Sequence, residues 1–196
     1  MDAFTSRLRS APAAFEVTYV TSGTSPATVL YAVRPPDGLL FRVSATGNSL
    51  DVIANPSGEY SCTPPPSPAQ PSKCTKLGKA SVAGYQQLLA FYTPAHWVSF
   101  LHGLALVAGL AGEKVTSSTM TVHGFPMSCL DLTAPKQGTS VLCTTRQYIL
   151  GYVKVSSDST SFEIERYSRS PSPSLFRLPP GATVTTLPPA TTPSTS

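Results

Sequence analysis

Four cysteines, three histidines and ten carboxylates are the groups in this 196-residue chain with the most chemistry to offer. The cysteines stand at Cys62, Cys74, Cys129 and Cys143, with eleven residues inside the first pair and thirteen inside the second. Neither spacing fits a zinc-ligand pattern and no C-x-x-C occurs. What remains is pairing. Three connectivities are open; the local ones are favoured because Pro64 to Ser72 and Ala134 to Gly138 read as turns inside each pair. Antiparallel register through Cys129 and Cys143 would also put Leu130 opposite Leu142 and Asp131 opposite Val141. Each closed loop would be worth roughly 2–4 kcal/mol, and such bridges belong to an oxidising compartment. The alternative is four buried free thiols in a cytosolic protein.

Acid, base and metal chemistry find less support. Glu163 and Glu165 share a strand face and could in principle act as a pair, but Ser161 and Arg166 around them suit a solvated surface. His96 and His102 are six apart, which no helix brings to one face as it does ligands at i and i+4. His102 lies in the most apolar stretch, either as a hydrogen-bonded histidine or as a pH-responsive or ligand-contacting one. The third, His123, has no partner in the pattern. No G-x-S-x-G elbow, phosphate loop, H-E-x-x-H or EF-hand loop occurs. The expectation is a non-enzymatic protein with no catalytic residues, no metal and no cofactor.

Apolar binding is the chemistry left. Phe91, Trp97, Phe100, Leu101, Leu104 and Val107 fall in one aromatic and aliphatic segment. They form either plain core or the lining of a cavity for an apolar ligand. Gly103, Gly109 and Gly112 leave room that bulkier residues would fill.

These residues need elements to position them. Charged residues make up only 12% of the chain, while 26 serines and 23 threonines form a quarter of it. That composition suits sheets and turns. It excludes a coiled coil, a basic nucleic-acid binder and an acidic disordered tail. The net charge of +4 is spread thinly. Its densest run, Lys73, Lys76 and Lys79, reads as a solvated loop or as weak attraction to an anionic membrane surface.

Period-two runs predict strands at Phe15–Tyr19, Val29–Val33, Leu39–Val43 and Leu50–Val52. Turns at Pro35–Gly38, Gly47-Asn48 and Asn55–Gly58 separate them. Further strands are expected at 115–123, 127–132, 139–146, 148–155 and 160–167, making nine or ten in an antiparallel meander. A short helix is expected over 2–11, and two more over 82–92 and 94–112, with Thr93 as cap and Pro94 at the first helical position. The second of these is apolar almost all round, yet too short for the roughly 20 residues a bilayer needs. A meander this long must curl, and segment 82–112 is the filler for its hollow. Residues 1–186 are expected to form one domain, with a Pro/Thr/Ser-rich tail at 187–196. The start, Met1-Asp2-Ala3-Phe4, shows no secretory leader. With an oxidising location, the chain reads as a mature or engineered form whose leader, with any lipid-attachment cysteine, has been removed.

Near the C-terminus, Phe176-Arg177-Leu178-Pro179-Pro180-Gly181-Ala182 resembles the closing F-x-L-P-x-G-A signature of the LolA/LolB lipoprotein-carrier superfamily and its actinobacterial LppX/LprG-like lipoproteins. The order of elements from about Phe15 to Val184 is similar to theirs as well. The resemblance implies an α+β, mainly β fold, in which a curled antiparallel sheet (an open half-barrel) wraps a helical insert. It also implies an apolar cleft for acyl chains, and an extracytoplasmic, membrane-anchored location. Tyr19, Tyr31 and Phe41 are then the strand positions nominated to face that cleft, beside the helical cluster. The expected partner is a lipid or acylated ligand. A membrane surface or membrane protein is a further one, nucleic acid is not, and the oligomeric state is left open. The rival readings are an envelope-stress sensor of the same fold that docks on a membrane partner, a structural or cell-wall module without ligand, and an enzyme with an unrecognised site.

Overall fold

The computed structural model describes residues 13–23, 26–65, 67, 70–78, 114–134, 138–156 and 160–186. The helices expected over 2–11 and 82–112, and the tail at 187–196, lie outside them.

Among the described residues, twelve strands form one sheet. The N-terminal half supplies β1 (Phe15–Thr21), β2 (Ala27–Arg34), β3 (Gly38–Ala45), β4 (Asn48–Asn55), β5 (Gly58–Thr63) and β6 (Lys73–Gly78). The C-terminal half supplies β7 (Lys114–Val122), β8 (Phe125–Ala134), β9 (Gly138–Thr145), β10 (Leu150–Lys154), β11 (Ser161–Ser168) and β12 (Thr183–Thr186). Their order is β12-β6-β5-β4-β3-β2-β1-β11-β10-β9-β8-β7. β1–β6 and β7–β11 are therefore each a run of hairpins, joined through β1 and β11, while β12 crosses back to the β6 end.

Turn chemistry sets the hairpin registers. Thr46-Gly47 (φ 43° and 81°) and His123-Gly124 (φ 48° and 81°) are two-residue turns with both residues left-handed, the geometry whose twist matches that of the strands. The β3–β4 turn thus falls one residue before the expected Gly47-Asn48, and Asn48 opens β4 opposite Ala45. Gly38 (φ 140°) begins β3 where a Cβ would collide with the Ala54 carbonyl oxygen.

The sheet has more strands than the nine or ten expected, and one pair is parallel. β5 and β6 went unread because Gly-Glu-Tyr-Ser-Cys-Thr and Lys-Cys-Thr-Lys-Leu-Gly carry no clean alternation. The lysines Lys73 and Lys76, expected in a loop, lie on strand β6. β12 pairs in parallel with β6, Val184 opposite Cys74, a contact across the whole chain that no local pattern announces.

Both local disulfides form. Cys62–Cys74 joins β5 to β6 with Cα atoms 4.1 Å apart, and Cys129–Cys143 joins β8 to β9 at 4.0 Å. The expected register holds in the second hairpin, with Leu130 opposite Leu142 and Asp131 opposite Val141.

Two apolar clusters lie on opposite faces of the N-terminal half. Phe15, Val17, Tyr19, Val29, Tyr31 and Val52 belong to the larger, which continues into Phe162, Ile164 and Leu150. The smaller holds Ala32, Leu40, Ile53, Tyr60 and the Cys62–Cys74 bridge, and is covered by Phe176 with Leu175, Leu178 and Ala182. The Phe176–Ala182 motif is thus a strap over the second face. A 3-10 turn at Pro173–Phe176, capped by Ser172, drives Phe176 into the cluster. Arg34 Nη1 donates to the Pro171 carbonyl at 3.0 Å, and Asn55 Nδ2 to the Phe176 carbonyl at 2.8 Å. Gly181 (φ 72°) then turns the chain into β12.

Candidate ligand-binding face

The register brings the three nominated strand residues together. Val17 lies opposite Tyr31 and Tyr19 opposite Val29, while Tyr31 lies opposite Phe41. Since side chains alternate between faces, Tyr19, Tyr31 and Phe41 all project on the first face, from three neighbouring strands. Tyr19 is 0% exposed and Tyr31 3%; Phe41 is partly buried against the same cluster.

Aromatic geometry orders this face. The Tyr19 ring stacks on Phe162 with centroids 4.3 Å apart and planes 25° from parallel. Its hydroxyl reaches across β11 and donates to the Leu150 carbonyl at 3.0 Å. Phe15 and Tyr31 meet at 5.6 Å in a tilted pair. Burial pushes the Tyr31 phenol up to about 12. The face is thus a broad, buried apolar layer carrying tyrosine hydroxyls; pockets for ligands with a long apolar body and few polar groups are lined by side chains of this kind. Phe91, Trp97, Phe100, Leu101, Leu104 and Val107 lie outside the described residues.

One polar cluster escaped the sequence reading. Ser161 Oγ donates to Glu163 Oε1 at 2.6 Å, and the other Glu163 oxygen lies 3.3 Å from His123 Nε2. Ser161 is further joined to Ser22, its hydroxyl touching the Ser22 hydroxyl and its N–H donating to Ser22 Oγ at 3.1 Å. Tyr152, opposite Glu163 on β10, has its phenol pushed up by burial and then by the Glu163 charge, with a hydrogen bond to Ser161 partly offsetting both. The carboxylate sits between hydroxyl and imidazole. A nucleophile relay instead needs the imidazole against the hydroxyl, so this order makes a clasp.

The clasp also reports shape. β10, β9 and β8 separate β11 from β7, which in a flat sheet would set them about 19 Å apart at ~4.8 Å per strand. A 3.3 Å contact between β11 and the β7–β8 turn requires the sheet to curl. The missed signal was His123-Gly124 as a tight hairpin turn, which carries His123 to the sheet's rim. Glu163, expected on a solvated surface, is half-buried in the clasp instead.

A groove of about 470 Å³ at the tips of β1–β4 is lined by Thr21, Thr28, Ser44, Thr46, Asn48 and Ser49 together with Val20, Pro26, Ala27, Ala45 and Pro64. Among the described residues no group of three or more His, Cys, Asp or Glu side chains converges to hold a metal. Among the same residues, no helix is long and apolar enough to cross a membrane.

No protein-family model matches the sequence, and no curated protein is detectably similar to it. Solved structures do match. The crystal structure of MucB superposes with a TM-score of 0.50 at 13% identity, over 91% of this chain and 62% of MucB. The fold resembles that of MucB. This chain spans about three fifths of MucB's own length, and at that identity the likeness is one of fold alone. It supports the coarser expectation, a mainly β, open curled sheet. The MucA/MucB complex of Pseudomonas aeruginosa matches at 13% identity and TM-score 0.49, over 90% of this chain and 60% of that one. An uncharacterized conserved protein from Thermus thermophilus matches at 9% identity and TM-score 0.49, over 95% and 98%.

Proposed function

We propose that this protein is an extracytoplasmic, non-enzymatic carrier that shields the acyl chains of a lipid or lipoprotein against the first face of its open sheet, as the LppX/LprG-like lipoproteins do. The observation that carries this reading is the continuous apolar plate of Tyr19, Tyr31 and Phe41 with Phe15, Val29 and Phe162 on adjacent strands. Two disulfides support an oxidising compartment, and the MucB-like fold supports the architecture. Burying one CH₂ is worth roughly 0.8 kcal/mol, so a long acyl chain supplies on the order of 10 kcal/mol before the cost of immobilising it.

Native mass spectrometry of protein secreted from an envelope-bearing host, followed by lipid extraction, tests the reading. A stoichiometric adduct in the mass range of an acylated lipid is expected. A clean apo mass that persists after incubation with phospholipid vesicles would count decisively against a carrier.

The second reading is an envelope-stress regulator that docks on a membrane protein. What prompts it is the likeness to MucB, itself solved in a complex with MucA. An apo mass combined with capture of a defined membrane protein would favour it.

A further inference from the structure

β7 closes one end of the sheet, and among the described residues it has a strand neighbour, β8, on one side only. Its nine residues are mostly exposed, the first six without exception. Pairing with β8 runs from Lys114 opposite Thr133 to Val122 opposite Phe125 without a bulge. Edge strands are normally protected by charge, proline, a bulge or shortness, because their free N–H and C=O groups template further pairing. Val115-Thr116-Ser117-Ser118-Thr119-Met120-Thr121-Val122 has none of these devices. The opposite end of the sheet, β12, offers only four residues.

The geometry points to β7 as a self-association edge that pairs antiparallel with β7 of a second copy of this chain, about a two-fold axis through Ser118. That register sets Ser118 opposite its own copy, Ser117 opposite Thr119, Thr116 opposite Met120 and Val115 opposite Thr121. Hydroxyl and β-branched side chains are favourable cross-strand partners. The strand's one charge, Lys114, stands at its end, so the two copies of Lys114 lie about 27 Å apart at ~3.4 Å per residue. No like charges meet. The contact is isologous and closes at two copies, whereas pairing β7 with β12 of another copy would propagate as an open fibre through a shorter seam.

Sedimentation velocity of the full chain over a concentration series tests this, with Ser118→Lys and Ser118→Glu compared. Ser118 is exposed, so both variants should keep the wild-type circular dichroism and Tm. Wild type is expected to dimerise. Each variant alone places like charges opposite each other at the axis, and should weaken the dimer at least about tenfold. An equimolar mixture sets Lys against Glu and should restore association. A wild type that stays monomeric throughout, a variant dimer as strong as wild type, or a mixture no stronger than its components would each overturn the proposal. If Ser118→Lys lost its fold, Ser118→Glu alone would still decide it.

Discussion

Tyr31 illustrates how a single buried group sets a pH limit on this protein. Its phenol ionises near 10 in the unfolded chain but is held up to about 12 in the fold. Below the unfolded value both states keep the proton and stability is at its full level. As pH rises from about 10 to about 12 the unfolded chain gives up its proton first, so stability should fall by on the order of 3 kcal/mol. Tyr152, shifted in the same direction, adds to that loss. Urea midpoints measured across this alkaline range should fall, and Tyr31→Phe should flatten much of the slope. Gly38 makes a second residue-scale case. Its positive φ and the close Ala54 carbonyl leave no place for a side chain, so Gly38→Ala should cost more than about 1 kcal/mol, read as a lowered Tm. Arg42 and Asp51 hold a bidentate pair at 2.6 Å across β3 and β4. With the Arg42 side chain 41% exposed, that pair contributes modestly.

Among the elements, the strap is the one whose role the sequence concealed. Phe176-Arg177-Leu178-Pro179-Pro180-Gly181-Ala182 was legible as a family-like signature, but its physical task, sealing the second face, appears only when Phe176 is seen 2% exposed among Leu40, Ile53 and Tyr60. Phe176→Ala should cost about 3–5 kcal/mol and, because β12 follows directly, should loosen the β6 edge. Hydrogen exchange at β12 and β6 would show it, and unchanged protection there would remove the strap's anchoring role. The clasp behaves differently. His123 is 46% exposed, so Glu163→Gln should cost under about 1 kcal/mol, read from urea unfolding. It was illegible because His123 and Glu163 are forty residues apart and meet only once the sheet has curled.

At the scale of the whole molecule, two cross-strand disulfides brace the two halves of one sheet, one bridge in each. Replacing either pair with serine should lower stability by roughly 2–4 kcal/mol, measured by urea unfolding, and the two losses should add, since the bridges join different hairpins. The joint between the halves is the β1–β11 pairing, with its register shift between Thr18 and Tyr19, and it is this joint that stacks Tyr19 on Phe162. By itself the sequence determined the hairpins other than the one that β5 and β6 form. Alternation in Phe15–Tyr19 or Leu39–Val43, with turn residues about ten apart, specifies local pairing, and the register through Cys129 and Cys143 followed from that rule alone. It also determined which face Tyr19, Tyr31 and Phe41 share, because neighbouring hairpins transmit the alternation from strand to strand. Only the tertiary structure decided that β1 meets β11, that β12 runs parallel to β6, that the strap seals the second face and that His123 reaches Glu163. The physical reason is range. A hairpin is chosen by residues a few positions apart, whereas these contacts join segments separated by about forty residues or more, and depend on the curl of the assembled sheet.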